Sequence, residues 1–145
     1  MGKVTRKVSV FLLLAMALVF AGSAEAARRS FGSVSIDVPK GWQVEESDEQ
    51  LTITAPDESA ALSIVTEVIE GATMKDVAEA TSKEMKGSKP KAAEGGFAFT
   101  CKTDEGVDCN VFVTGDEDEG IFIIMIVAGE HPDMEGMLNS FEIVG

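Results

Sequence analysis

The chain has 145 residues and a formal net charge of −13, with 25 acidic against 12 basic residues. This length fits a single domain. The hydrophobic fraction of 45% is too high for a disordered chain. The acidic balance argues against nucleic-acid binding, which needs a basic face to neutralise phosphates, and against adhesion to anionic lipid headgroups.

The first 26 residues are typical of a secretory signal peptide. Three basic residues precede the uncharged segment 8–20, and small residues follow it, with Ala24 and Ala26 in the A-x-A positions. We predict cleavage after Ala26, and a cut after Ala24 is the near alternative. An uncleaved membrane anchor is disfavoured, because thirteen residues rise only about 20 Å as a helix, against a hydrocarbon core of roughly 30 Å.

Cleavage leaves residues 27–145 as one domain of 119 residues, with 9 basic and 24 acidic residues and a net charge of −15. A chain of this size can bury one ordinary core without metals or many disulfides. We therefore expect a soluble protein of the periplasm or the extracellular medium, with no stable membrane insertion after the signal is removed.

The two cysteines lie on alternating segments that flank a turn signal at 104–106, which predicts a β-hairpin. With the turn centred on Glu105, Cys101 lies opposite Cys109. Because an oxidising compartment favours the bond, we predict a structural disulfide between them. A redox pair is the alternative, but such pairs usually form a C-x-x-C motif that opens a helix. The same register pairs Phe97 with Val113, Phe99 with Val111, Thr103 with Val107 and Lys102 with Asp108.

The remaining pattern predicts an α+β domain in which helices flank a mostly antiparallel sheet of about six or seven strands. A change of period after Gly71 predicts a helix with Thr73 as N-cap and Gly87 as stop. The run 121–128 is apolar throughout, which predicts a central strand covered on both faces. A last helix opens at Pro132. Further strands are predicted at 33–38, 42–45, 51–55 and 61–69.

The chain resembles members of the Mog1/PsbP-like superfamily in three segments, at 35–42, 51–56 and 137–141. The order of the predicted elements between them also fits that superfamily. The resemblance implies an antiparallel sheet between helices and a binding or assembly module instead of an enzyme. Members include an extrinsic photosystem II subunit and a nuclear Ran-binding factor, but nothing in the residues suggests either role here.

Three features are candidate functional sites. Asp116 and Asp118 are weak metal candidates, but Gly120 and Val127 occupy the fifth and twelfth places of that loop, which breaks EF-hand spacing; a solvated hairpin tip is expected. Trp42 is a possible interface residue, although packing over a sheet edge is favoured. His131, the single histidine, is expected to be exposed. No catalytic residue, metal or cofactor is assigned.

These observations favour an exported binding or accessory protein of the bacterial cell envelope, with a protein or small molecule as its partner. The first alternative is an extracytoplasmic hydrolase that uses carboxylates, which predicts a deep pocket with two converging acids. The second is a small-ligand-binding protein with a pocket between sheet and helix for an apolar or cationic ligand.

Overall fold

A computed structural model describes residues 27–143, and the predicted signal peptide lies outside these described residues. No helix within 27–143 is long and apolar enough to span a membrane. In chain order the elements are β1 (Ala27–Phe31), β2 (Val34–Val38), β3 (Gln43–Glu46), β4 (Gln50–Thr54), β5 (Ala60–Val68), α1 (Met74–Met85), β6 (Lys91–Ala93), β7 (Gly96–Lys102), β8 (Asp108–Asp116), β9 (Ile121–Gly129), α2 (Met134–Asn139) and β10 (Glu142–Ile143).

The larger sheet has seven strands in the order β3-β4-β5-β9-β8-β7-β6, and every neighbouring pair is antiparallel. β9 is the fourth of the seven strands, so its predicted central position is confirmed. Its side chains alternate between two cores: Ile124 and Ile126 face one, whereas Ile123 and Met125 face the other. The apolar run exists because both faces of this strand are covered.

Helix α1 covers one face of the larger sheet, where Val77, Ala78 and Met85 join its hydrophobic core. The predicted start is confirmed as a capping box: Asp76 N–H donates to the Thr73 hydroxyl at 3.0 Å, and Thr73 N–H donates to the Asp76 carboxylate at 3.2 Å. These bonds satisfy two of the backbone donors that a helix start leaves unpaired.

The opposite face is covered by α2 and by a separate three-stranded sheet of order β1-β2-β10. The strand predicted at 33–38 lies in this small sheet as β2, whereas β1 and β10 were not predicted. β1 reads Ala-Arg-Arg-Ser-Phe, which carries no alternating apolar signal. Its strand conformation instead reflects pairing with β2 over five residues.

Arg28 joins the first strand of the domain to its last residues. One guanidinium nitrogen donates to Asp37 at 3.0 Å and to the Ser140 carbonyl at 2.9 Å, and the other donates to Glu142 at 2.8 Å. All three charged side chains are exposed, so each ion pair alone contributes little stability. Together the bonds fix the small sheet in register across its full width.

Candidate functional site

The cysteine hairpin forms in the predicted register, with Cys101 opposite Cys109 and Lys102 opposite Asp108. Both thiols are free in the structure. They lie on the face that α1 covers, with exposed fractions of 9% and 1%, and the two thiol groups interact directly. The disulfide therefore stays a prediction, between two side chains that β7 and β8 hold on one face.

Burial raises the pKa of both thiols above the ordinary value. At Cys109 the neighbouring Cys101 adds to the effect of burial, and the pKa rises to about 12. At Cys101 the hydrogen bond from Cys109 partly opposes the rise. A redox-active cysteine needs a readily formed thiolate, so these surroundings do not favour the redox alternative.

Trp42 is fully buried, with an exposed fraction of 0%. Its backbone N–H donates to the Pro39 carbonyl at 3.3 Å and closes a turn in which Gly41 has φ +89°, a value that favours glycine at that position. The indole meets the ring of His131 edge-on, with 5.0 Å between centroids. Trp42 thus packs in the core instead of presenting an interface, and His131 is partly buried instead of exposed, because the indole covers its ring.

Two carboxylates of the acidic turn at 116–119 already accept hydrogen bonds from backbone N–H groups. The Asp116 carboxylate accepts from the N–H groups of Asp118 and Glu119 at 2.9 and 3.2 Å. The Glu117 carboxylate accepts from the N–H of Met74, in the first turn of α1, at 2.7 Å. Within residues 27–143 no three His, Cys, Asp or Glu side chains form a group that could hold a metal ion. The turn therefore has a structural role, because its Glu117 carboxylate caps the first turn of α1 from outside the helix.

Glu117→Ala should lower the free energy of unfolding by about 1 kcal/mol, because the first turn of α1 loses a charged acceptor near its positive end. Chemical denaturation followed by circular dichroism measures the change. Glu119→Ala, an exposed acid on the same turn, is the matched control and should change stability by less than about 0.5 kcal/mol. Equal effects of the two substitutions would contradict the capping role.

A groove of about 670 Å³ opens over β7 and β8, on the face shared with the small sheet and α2. Within the described residues no side chain of the small sheet lines it, and most of its apolar side chains remain partly exposed. We call this feature the β7–β8 groove. Its volume lies within the range of small-molecule sites. Its apolar lining includes Ala98, Phe112, Met125 and Val127 from the sheet and Leu138 from α2.

The rim of the β7–β8 groove is basic. Lys89 and Lys91 line it, and within the described residues no acidic side chain does. The segment that carries them is fixed at Ser88, whose N–H donates to the Thr100 carbonyl at 2.8 Å. The Ser88 hydroxyl in turn accepts from Thr100 N–H at 3.0 Å, and its carbonyl accepts from Ser82 at 2.6 Å. The backbone next to Lys89 and Lys91 is therefore held in place by the hydrogen bonds of Ser88.

The groove was not predicted from the sequence, although one signal for it was present. Four lysines fall within nine residues, at positions 83, 86, 89 and 91. Lysines near a helix C-terminus suit the negative end of the helix dipole, and this role fits those nearest the end of α1. The structure shows instead that Lys89 and Lys91 lie beside exposed apolar surface.

A second, more polar concavity of about 920 Å³ lies beside the cysteine hairpin and is lined in part by Asp104, Asp108 and Glu130. Together with Glu84, these make four acidic side chains in its lining. The Asp108 carboxylate is already paired with the ammonium group of Lys102. The hydrolase alternative needs two carboxylates that converge on a substrate, and Asp108, held by Lys102, does not fit as one of them.

No protein-family model and no curated protein matches this chain. Among solved structures it is similar to the Ran-binding protein Mog1p of Saccharomyces cerevisiae. The TM-score is 0.51 at 11% identity, and the match covers 86% of this chain and 97% of Mog1p. The chain has a Mog1/PsbP-like fold.

Two further solved structures are similar to this chain. A Bacteroides thetaiotaomicron protein matches with a TM-score of 0.53 at 14% identity, over 83% of this chain and 50% of that one, so this chain spans about half of its length. The PsbP protein (CyanoP) of Synechocystis matches with a TM-score of 0.49 at 13% identity, over 87% and 95% of the two chains. Identities this low describe the fold and leave function to the site.

Proposed function

We propose that this protein is an exported binding or accessory protein of the cell envelope, without catalytic activity of its own, and that the β7–β8 groove is its binding surface. The observation that carries the proposal is the groove itself. It joins partly exposed apolar side chains, such as Phe112 and Leu138, to an anchored basic rim. Concave apolar surface with a few fixed polar groups is the usual form of a binding site.

The fold agrees with a binding role. Mog1p is named a Ran-binding protein, and this chain shares its architecture. The shared fold does not transfer the partner, because unrelated functions use the same fold. What binds here must therefore be inferred from the groove of this chain.

The N-terminal segment supports export to the periplasm or the extracellular medium. Residues 27–31 form β1 and pair with β2 over five residues. A cut after either Ala26 or Ala24 keeps these residues in the processed chain, so the pairing can form after export.

The test is photo-crosslinking in the organism that encodes the protein, using the chain with its own N-terminal segment. A photoreactive amino acid replaces Asn110, an exposed residue that lines the groove, or Glu79, an exposed control on α1. We expect mass spectrometry to find a chain that begins at Ala27, with an adduct at position 110 and none at position 79. An unprocessed cytoplasmic chain would contradict export, and the absence of any adduct at position 110 would contradict a binding role for the groove.

A further inference from the structure

We infer that the β7–β8 groove binds a single anionic amphipath, a molecule with an apolar chain and a carboxylate or phosphate head. This inference rests on the proposed function and specifies its ligand class. It differs from the apolar or cationic ligand expected from the acidic composition, because the local charge of the groove is opposite to that of the whole chain.

The sheet register places a cation at the end of an apolar row. Lys91 is paired with Ala98, Ala98 with Phe112, and Phe112 with Met125. Residues directly paired across antiparallel strands project to the same face, so the Lys91 side chain leaves the sheet on the groove side. An apolar chain lying along this row would bring its head to the lysine.

Charge complementarity selects an anionic head. The region 27–145 carries 24 acidic residues, yet within the described residues none of them lines this groove. Lys89 and Lys91 are exposed, so their ammonium groups can reach an anionic head at the rim. The hydrogen bond between Ser88 and Thr100 holds the neighbouring backbone against β7. An edge strand also gains protection from lysine against pairing with other chains, but that role does not require apolar surface beside it.

The size of the groove and the charge of the chain favour one molecule over a membrane surface. A volume of about 670 Å³ suits a ligand of small-molecule size. The net charge of −13 opposes approach to an anionic bilayer, which attracts basic surfaces. The occupant is thus a dissolved or extracted amphipath, with its chain on Phe112 and Met125 and its head at the lysines.

The test compares two probes of equal chain length and opposite charge, laurate and dodecyltrimethylammonium, titrated below their micelle concentrations. The protein is expressed with its complete N-terminal segment and purified in the form that the cell produces. We expect laurate to bind with one-to-one stoichiometry and at least tenfold more tightly than the cation. The double variant Lys89→Glu/Lys91→Glu should lower laurate affinity by about tenfold or more, as loss of bonds to a charged group does.

Matched controls separate the groove from general charge. Lys40→Glu/Lys75→Glu changes two exposed lysines outside the groove and should leave laurate affinity within twofold. Ala98→Trp fills the floor and should weaken both probes, with circular dichroism showing that the variant is folded. The two double-lysine variants change only exposed side chains, so we expect both to fold. The comparison between them therefore still tests the inference if Ala98→Trp does not fold.

Equal affinity for the two probes, or laurate binding unchanged by Lys89→Glu/Lys91→Glu, would overturn the inference. Binding to phosphatidylglycerol vesicles without binding of monomeric laurate would also overturn it. If laurate fails to bind while position 110 crosslinks to a protein in the cell, the proposed function stands and the ligand class is wrong. If both experiments fail, the groove is not a binding surface and both proposals are wrong.

Discussion

Trp42→Ala is expected to lower the free energy of unfolding by about 3–5 kcal/mol, the usual cost of removing a large buried aromatic side chain. Trp42 is the largest of the fully buried side chains within the described residues. It packs with Leu51, Ile53 and Leu62 in the core between the two sheets. Denaturant unfolding followed by circular dichroism measures the loss, because the variant no longer contains a tryptophan to report by fluorescence.

Trp42→Phe refines this prediction. The indole N–H is buried and has no hydrogen-bond partner within the described part of the chain, and an unpaired buried donor is itself costly. Phenylalanine fills much of the space and removes that donor, so we expect its cost to be at least about 2 kcal/mol smaller than that of alanine. Val68→Ala, at a side chain that is 72% exposed, is the control. A cost below about 1 kcal/mol for Trp42→Ala would contradict the central role of this side chain.

The cysteine pair gives the second large effect. We expect protein recovered from the oxidising side of the membrane to contain the Cys101–Cys109 disulfide, because β7 and β8 already hold both thiols on one face. Reduction should lower the free energy of unfolding by at most about 2–3 kcal/mol, since the closed loop is short. Non-reducing peptide mapping by mass spectrometry identifies the bond, and two free thiols in native protein would contradict it.

The reduced protein should lose stability at alkaline pH. Folding raises the pKa of Cys109 from 9.0 to about 12, so the native state holds this proton more tightly than the unfolded state does. The contribution is fully present below about pH 9 and is lost as the pH rises toward 12. The oxidised protein contains no thiol to titrate and is the matched control. Parallel pH profiles for the two forms would contradict this assignment.

The features predicted correctly from the sequence are those set by neighbouring residues. The 104–106 turn and the alternation on both sides of it determine the pairing of β7 with β8. The Thr73 capping box requires residues only three positions apart. The prediction that the run 121–128 is a central strand required one further inference, namely that a strand with two apolar faces must be covered on both of them.

The features that were missed depend on contacts between distant segments. β6 reads Lys-Ala-Ala and β10 reads Glu-Ile, and neither has enough alternation to indicate a strand. The β7–β8 groove is lined by α2 and, within the described residues, by no residue of the small sheet, and no local pattern encodes where a second layer ends. The contact of Trp42 with His131 likewise joins two distant turns.

The small sheet joins segments that lie far apart in the sequence. β2 is its middle strand, with β1 on one side and β10 on the other. Until Ile143 is available, the hairpin of β1 and β2 keeps one edge unpaired, and Arg28 lacks two of its three partners. The seven strands of the larger sheet lie between Gln43 and Gly129, so their pairing requires neither β1 nor β10. The small sheet that helps to cover Trp42, in contrast, joins residues 27–38 to residues 142–143.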